Sequence, residues 1–212
     1  MTYDGGMARW EPDARGRLET AAMALFRERG YVRTTVEEIA ARAGLTERTF
    51  FRYFADKREV LFSGSKALEK SIIDRIAVAP PEESPFRTVV AAFEGAAAEL
   101  QALRDLDFVR ARYALVTKHA ELQERELIKL ASLALAVVKA LRARGVAEPA
   151  ASLTAEAGIA AFKVGFACWV GEKKPQDFAA HVRAAADAFK VITAEGNAQP
   201  TSPKRKQAPR RA

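Results

Sequence analysis

The side chains whose types and spacing suggest a specific chemistry lie between residues 47 and 52. Glu47 and Arg48 come one helical turn before Phe51, so all three can face the same outward side of a short helix. An arginine can donate two hydrogen bonds to a guanine, a glutamate can accept one from a cytosine, and an apolar side chain can contact a thymine methyl. The pattern favours reading base edges in the major groove of DNA.

Other groups nearby suit contacts with phosphates, which position a protein on DNA without reading its sequence. A helix N-terminus adds free backbone N–H groups and a partial positive charge, which favour an anion there. By type and place, the further candidate DNA contacts are Thr34, Thr35, Val36, Thr46, Thr49, Arg52, Tyr53 and Lys57.

Two short helices joined by a tight turn are predicted to carry these groups. Thr35 can cap the first helix, predicted over 36–43, and its apolar residues recur at the spacing of one buried face. Gly44 suits a left-handed residue after the helix end, and Thr46 can cap a second helix over 47–54. Phe50 and Phe54 would face inward. This plan is typical of a DNA-binding helix-turn-helix.

The segment 10–62 resembles the DNA-binding domain of TetR-family bacterial transcriptional regulators. The landmarks that carry the resemblance are Leu25-Phe26, Gly30-Tyr31, Thr34-Thr35-Val36, Ile39-Ala40, Ala43-Gly44, Thr49, Phe51, Tyr53-Phe54 and Asp56-Lys57. The family uses the positions proposed above for DNA contacts. Glu47 stands at one of its base-reading positions, where an acid weakens binding unless it is paired or bonded to a base.

Composition points to an all-α protein, because Gly and Pro are sparse between residues 14 and 195. We expect no signal peptide, and no membrane-spanning helix because charges interrupt every apolar run. The single cysteine, Cys168, indicates a reducing cytoplasm. Most of the net charge of +7 lies in the last residues, which hold five basic and no acidic side chains from Asn197 onward.

Three regions are indicated by these patterns: a helix-turn-helix domain with an N-terminal arm at 1–62, a helical body at 63–195, and a disordered basic tail at 196–212. The first helix should be capped by Asp13 and end at Arg29, and Asp56 should cap a fourth helix that runs to Val78. Body helices are predicted over 84–102, 105–119, 121–144, 149–173 and 176–194, with Gly145 and Pro175 as the firmest breaks. Arg9, Arg15 and Arg17 make the arm and the first helix basic. These arginines would either contact the minor groove of DNA or have no role in binding.

The resemblance implies an effector cavity and a dimer interface in the body. Aromatic residues on helical stripes are usually core, but here some would line the cavity, with three polar groups among them. The candidate cavity residues are Phe93, Phe108, Arg112, Tyr113, His119, Phe162, Phe166, Cys168 and Trp169. The last two helices would form a four-helix interface between two chains, through Ile159, Phe162, Lys163, Phe166, Val170, Phe178, Val182, Ala185 and Phe189.

Two functions remain open from the sequence. The first is a homodimeric repressor that leaves a palindromic operator when an unknown, apolar or aromatic effector binds. The second is an effector-independent DNA-binding protein that acts architecturally or through a protein partner. We expect no enzymatic activity, because there is no Gly-rich phosphate loop, no nucleophile motif and no acid–base pair on one face. We expect no cofactor, and one cysteine and two histidines give no metal set.

Overall fold

The structure, a computed structural model, describes residues 14–173 and 177–194. The Asp13 cap, Arg9, the Pro175 break and the basic tail lie outside this range. All regular structure in the described part is helical, as the sequence predicts. The α-helices are α1 (Ala14–Arg29), α2 (Val36–Arg42), α3 (Glu47–Tyr53), α4 (Ser65–Val78), α5 (Pro85–Leu103), α6 (Leu106–Lys118), α7 (Ala120–Ala143), α8 (Ala150–Gly171) and α9 (Phe178–Ala194).

Helices α1 to α3 form a small head whose local signals act as predicted. Thr35 caps α2 with a capping box, because its hydroxyl accepts from the Glu38 N–H at 3.2 Å and Glu38 accepts from the Thr35 N–H at 2.9 Å. Thr46 caps α3 by accepting from the Thr49 N–H at 3.2 Å. Gly44 takes the left-handed conformation, with φ of 66°, in the turn between them. Each helix ends one residue earlier than expected.

The predicted continuous helix from Asp56 to Val78 is wrong. Asp56 does act as a cap, accepting from the N–H groups of Arg58 at 2.8 Å and Glu59 at 3.2 Å. The capped segment is only a short 3₁₀ turn, Glu59–Phe62, and α4 begins at Ser65. Val60, Leu61 and Phe62 are all buried in the head core. The tighter turn lets three consecutive side chains reach that core. A regular α-helix that faces the core on one side would not bury three consecutive residues.

Helices α4 to α9 form the body, with bounds within two residues of those predicted for α5 to α9. Its core is filled by Ile72, Phe93, Val137, Phe162 and Phe178, all buried. Helices α8 and α9 pack very closely at Gly165, where a Cβ atom would lie 2.8 Å from the Val182 backbone. The close contact between these two helices is therefore made inside one chain.

Helix α8 departs from the expectation that charges interrupt every long apolar run. Ala150–Gly171 is long and apolar enough, by length and composition, to cross a membrane. It packs against α5, α7 and α9 and buries Ala155, Ile159 and Phe162 in the body core. Packing on several sides accounts for its apolar composition, since a core helix of a globular protein meets the same criteria.

Candidate nucleic-acid interface and ligand cavity

The outward side of α3 presents the three side chains expected to read bases. Glu47, Arg48 and Phe51 are all exposed. Phe51 leaves 54% of its surface in water, although its neighbour Phe50 is fully buried. Neither Glu47 nor Arg48 forms a hydrogen bond or ion pair with any part of the chain that the structure describes. The face is therefore available for contact with another molecule.

A second group of side chains borders this face and is already organised. The Arg52 guanidinium donates to the Tyr53 hydroxyl at 3.2 Å and lies 5.0 Å from the centre of its ring. The hydroxyls of Thr46 and Thr49 are 3.1 Å apart at the start of α3. A cation, a phenol and two hydroxyls on one edge suit contacts with phosphate oxygens.

The remaining candidate contacts are occupied within the head. Thr34 is buried and donates its hydroxyl to the Gly30 carbonyl at 2.9 Å. Lys57 donates to the carbonyls of Tyr31 at 2.9 Å, Val32 at 3.2 Å and Thr34 at 3.0 Å. An ammonium has only three N–H groups, so a phosphate contact by Lys57 would replace one of these bonds. The Thr35 hydroxyl serves the helix cap, and Val36 is the half-buried first residue of α2.

Arg15 and Arg17 of the first helix, both suggested for the minor groove, also have partners inside the head. Arg15 donates to the Ser63 carbonyl at 3.3 Å and lies 5.5 Å from the centre of the Phe54 ring. Arg17 donates to the Ala43 carbonyl at the end of α2. Arg17 thus holds α1 against the end of α2, and Arg15 holds it against the segment that follows α3.

A cavity of about 710 Å³ lies in the body between α4, α6, α7 and α8. This size is typical of small-molecule sites. Of the predicted cavity residues, Phe108, Arg112, Tyr113, Phe162 and Phe166 line it. The sequence did not predict that α4 and α7 also line the cavity, through residues that include Leu68, Glu126, Lys129 and Leu133. No single residue type marks them, since their place depends on how α4 and α7 face α6.

Four predicted cavity residues do not line it. Phe93 is fully buried in the body core, where its ring packs 5.2 Å from that of Phe162. Trp169 is also buried, stacked 4.7 Å from Phe178. Cys168 is exposed on α8 and lies outside the cavity lining. His119 lies at the head, with its ring 5.1 Å from that of Tyr31.

The head forms one end of this cavity. Leu61 and Phe62 of the 3₁₀ turn line it, and Arg112 of α6 donates its Nε–H to the Leu61 carbonyl at 2.6 Å. The Arg112 guanidinium also lies 5.0 Å from the centre of the Phe62 ring. Burial lowers the pKa of Arg112, although the carboxylate of Glu126 opposes this effect. A change at Arg112 would therefore reach both the cavity and the head.

Further ion pairs join the head to the body beside the cavity. Arg125 and Lys129 of α7 both donate to the Glu59 carboxylate, the latter at 3.1 Å. Burial raises the pKa of Glu59, but the hydrogen bonds from these two cations outweigh it and lower the pKa overall. The buried Glu19 of α1 accepts from Arg104, the residue that follows α5, at 2.6 Å. The head core also takes in Val116 and Leu122 from the body.

Five residues predicted for the dimer interface are buried in the core of the single chain, namely Ile159, Phe162, Val170, Phe178 and Val182. Phe166 is partly buried and packs against the same core. Ala185 is half-buried, and Phe189 stacks on Phe86 with ring centres 5.8 Å apart. Lys163 is exposed and forms no hydrogen bond or ion pair with the described residues. The stripe rich in aromatic residues therefore fills the interior of its own chain, and the surface left for another chain lies on the other sides of both helices.

The opposite sides of α8 and α9 are exposed and mostly apolar. On α8 this side carries Leu153, Ala160, Val164 and Ala167, of which the last two also line the cavity. On α9 it carries Ala180, Ala184, Ala188 and Val191. Leu153 and Val164 leave 68% and 54% of their surfaces in water. We call these residues the outer stripes of α8 and α9. Small side chains predominate, which permits close approach of another helix pair.

Comparisons with known proteins match this organisation. Residues 19–63 match the family model of bacterial regulatory proteins, tetR family. A stretch of 79 residues is 38% identical to the HTH-type transcriptional regulator TcmR of Streptomyces glaucescens, and it covers 37% of this chain and 35% of that protein. The chain thus matches only about a third of the length of this relative.

Solved structures share the fold over nearly the whole chain. One is a structure named as a putative TetR-family transcriptional regulator from Syntrophomonas wolfei. It has a TM-score of 0.61 at 18% identity and covers 90% of this chain and 98% of that one. The complex of SmeT with triclosan has a TM-score of 0.57 at 20% identity, covering 94% and 99%. SmeT is the repressor of a multidrug efflux pump of Stenotrophomonas maltophilia. At these identities the likeness is one of fold.

Proposed function

We propose that this chain, whose residues 19–63 match the family model of bacterial regulatory proteins, tetR family, is a cytoplasmic, homodimeric repressor. In this proposal it binds a palindromic operator and leaves it when a small molecule occupies the body cavity. The observation that carries the proposal is the exposed face of α3 together with a cavity whose wall includes the 3₁₀ turn of the head.

In the proposed complex, α3 enters the major groove. Arg48 donates to a guanine, Glu47 orients Arg48 or accepts from a cytosine, and Phe51 contacts a thymine methyl. Arg52 and Tyr53, already bonded to each other, hold a phosphate beside the groove. Lys57 supports the interface without contacting DNA, since its three hydrogen bonds to carbonyls fix the chain between α1 and α2.

Association of two chains is expected from how such a head reads DNA. One short helix makes few base contacts, and a second head one helical turn away doubles them on a palindromic site. We propose that the outer stripes of α8 and α9 form the contact between chains. Their exposed apolar residues, such as Leu153 and Val164, support this side of the helices.

Release would work as a population shift, since an effector can favour only the head arrangement to which it binds more tightly. Leu61 and Phe62 are shared by the cavity wall and the head core, so a bound molecule can distinguish two positions of the head. The fold relative SmeT has been solved with triclosan, an apolar aromatic compound. The apolar and aromatic lining of the cavity supports a ligand of similar character here.

The test is selection of bound duplexes from a random DNA library with the full chain at physiological salt. We expect enrichment of a palindromic site whose half-sites are about one helical turn apart. The Arg48→Ala variant should then lose preference at one base pair in each half-site, while Arg142→Ala, an exposed arginine on α7, should not. Selection without any enriched sequence would contradict the proposal. A palindrome bound regardless of any cavity ligand would favour an effector-independent DNA-binding protein.

A further inference from the structure

The walls of the body cavity carry more positive than negative charge. Six cationic side chains line it, namely Lys66, Arg104, Arg112, Arg125, Lys129 and Lys163, against two acidic ones, Glu69 and Glu126. Two more carboxylates, Glu19 and Glu59, pair with members of this set from outside the lining. Cations still outnumber carboxylates by two. Lys66 and Lys163 are exposed to water, whereas each of the other four cations pairs with a carboxylate.

The cations differ in how well they are paired. Arg104 reaches Glu19 at 2.6 Å, and Lys129 reaches Glu59 at 3.1 Å. Both terminal nitrogens of Arg112, by contrast, share one oxygen of Glu126 at 3.4 and 3.3 Å. Charge-assisted bonds of this kind are usually about 2.7–2.9 Å long and often use both carboxylate oxygens. The Arg112 guanidinium, 21% exposed and next to the apolar lining, is therefore loosely paired where a ligand can reach it.

Apolar surface suited to a hydrophobic ligand lies beside this guanidinium. Tyr113 follows Arg112 on α6, and its ring meets that of Phe166 edge to face with centres 5.6 Å apart. Leu100, Leu133 and Phe162 continue the same lining. The cavity thus combines a loosely paired arginine with a large apolar wall.

We propose that the effector is an amphipathic organic anion whose carboxylate or sulfonate is bound by Arg112 in place of Glu126, with its apolar part against Tyr113 and Phe166. This inference rests on the proposed function, whose cavity it fills with a ligand class. The anion takes the two terminal nitrogens and leaves Nε on the Leu61 carbonyl. Because that bond joins α6 to the 3₁₀ turn, a guanidinium turned toward a ligand shifts the head.

Two fluorescent probes that share one apolar body test the ligand class. 1-Anilinonaphthalene-8-sulfonate carries a permanent negative charge, and N-phenyl-1-naphthylamine is the same molecule without the sulfonate. The affinity of the full chain for each is measured by fluorescence titration. We expect the anionic probe to bind about tenfold more tightly than the neutral one, since a hydrogen-bonded charge pair is worth about one order of magnitude or more.

Substitutions then place the anion at Arg112. Arg112→Gln should remove most of this preference, and Glu126→Gln should increase it several-fold by freeing the guanidinium from its competitor. The neutral probe should bind all three proteins alike. Lys118→Gln, which removes an exposed cation from the same helix outside the cavity, should change nothing. A purely structural role for Arg112 does not produce opposite effects in the two cavity variants. Circular dichroism verifies that each variant keeps its helices.

Hydrogen exchange tests the connection to the head. The anionic probe should change amide exchange at residues 59–63 in the wild-type chain and not in Arg112→Gln. Equal affinity for both probes, or a preference that survives in Arg112→Gln while Glu126→Gln has no effect, would overturn the inference. Operator binding by the unliganded chain is measured separately. Intact operator binding without a probe preference would refute only the ligand class, whereas a probe preference without operator binding would refute the proposed function instead.

Discussion

The turn between α2 and α3 offers a quantitative test of how α3 is held. Gly44 has φ of 66°, and a Cβ added there would lie 2.8 Å from Nη2 of Arg17. Gly30, at the end of α1, has φ of 82° with nothing within 4 Å of an added Cβ. Substitution of either glycine by alanine therefore imposes the same kind of backbone strain, and only Gly44→Ala also displaces a neighbour.

The expected magnitudes rest on these two contacts. Alanine in the left-handed region costs about 1–2 kcal/mol. At Gly44 the Arg17 guanidinium must also move from the Ala43 carbonyl, to which it donates a hydrogen bond. Loss of that partly buried bond adds about 1 kcal/mol. We expect Gly44→Ala to lower the free energy of unfolding by about 2–3 kcal/mol and Gly30→Ala by about 1–2 kcal/mol.

Urea unfolding of the full chain, monitored by circular dichroism, measures both changes. Gly64→Ala is the control, because Gly64 has φ of −81° and an open space at its Cβ position. This variant should be neutral or slightly stabilised. If Gly44→Ala is no more destabilised than Gly30→Ala, the Arg17 contact contributes nothing to the turn. If both behave like Gly64→Ala, the positive φ values themselves are refuted.

Three further predictions concern DNA reading, assembly and pH. Arg48→Ala should weaken operator binding by about 1–3 kcal/mol and relax selectivity at one base pair per half-site, as measured by titration of matched operators; unchanged selectivity would exclude a base contact. Ala184→Arg, on the outer stripe of α9, should yield a folded monomer in sedimentation, whereas Val182→Arg, fully buried two residues earlier, should unfold the body; a folded dimer with Ala184→Arg would place the interface elsewhere. The lowered pKa of Glu59 means that its ion pairs stabilise the fold above the usual glutamate pKa and that this contribution is lost as the pH falls through the lowered value. Acid should therefore destabilise the wild-type chain more steeply than Glu59→Gln, and identical pH dependence would contradict the role of Glu59.

The helix-turn-helix could be predicted from sequence because its signals are local. A threonine three residues before a glutamate forms the capping box, and a glycine at the left-handed position closes the turn. Such hydrogen bonds and backbone preferences depend on neighbours within four residues. The exposed place of Arg48 and Phe51 is set by the period of the same short helix, opposite the buried Phe50. These features needed no knowledge of the rest of the chain.

Contacts between distant segments could not be predicted in this way. Lys57 has the type of a phosphate ligand, but three carbonyls from residues 31–34 take its N–H groups. The aromatic stripe of α8 is of the kind that suits an interface, yet α5, α7 and α9 cover it inside the chain. Periodicity shows that a helix has an apolar side and cannot say which neighbour covers it.

The sequence by itself determined most of the helices, the exposed face of α3 and the resemblance to a family of DNA-binding regulators, because each depends on residues close together in the chain. Only the tertiary structure decided that Arg112 joins the cavity to the Leu61 carbonyl, that Glu59 is held by two cations of α7, and which sides of α8 and α9 remain exposed. Those outcomes depend on how helices far apart in sequence pack together, and the type of a side chain does not encode the partner that packing brings to it.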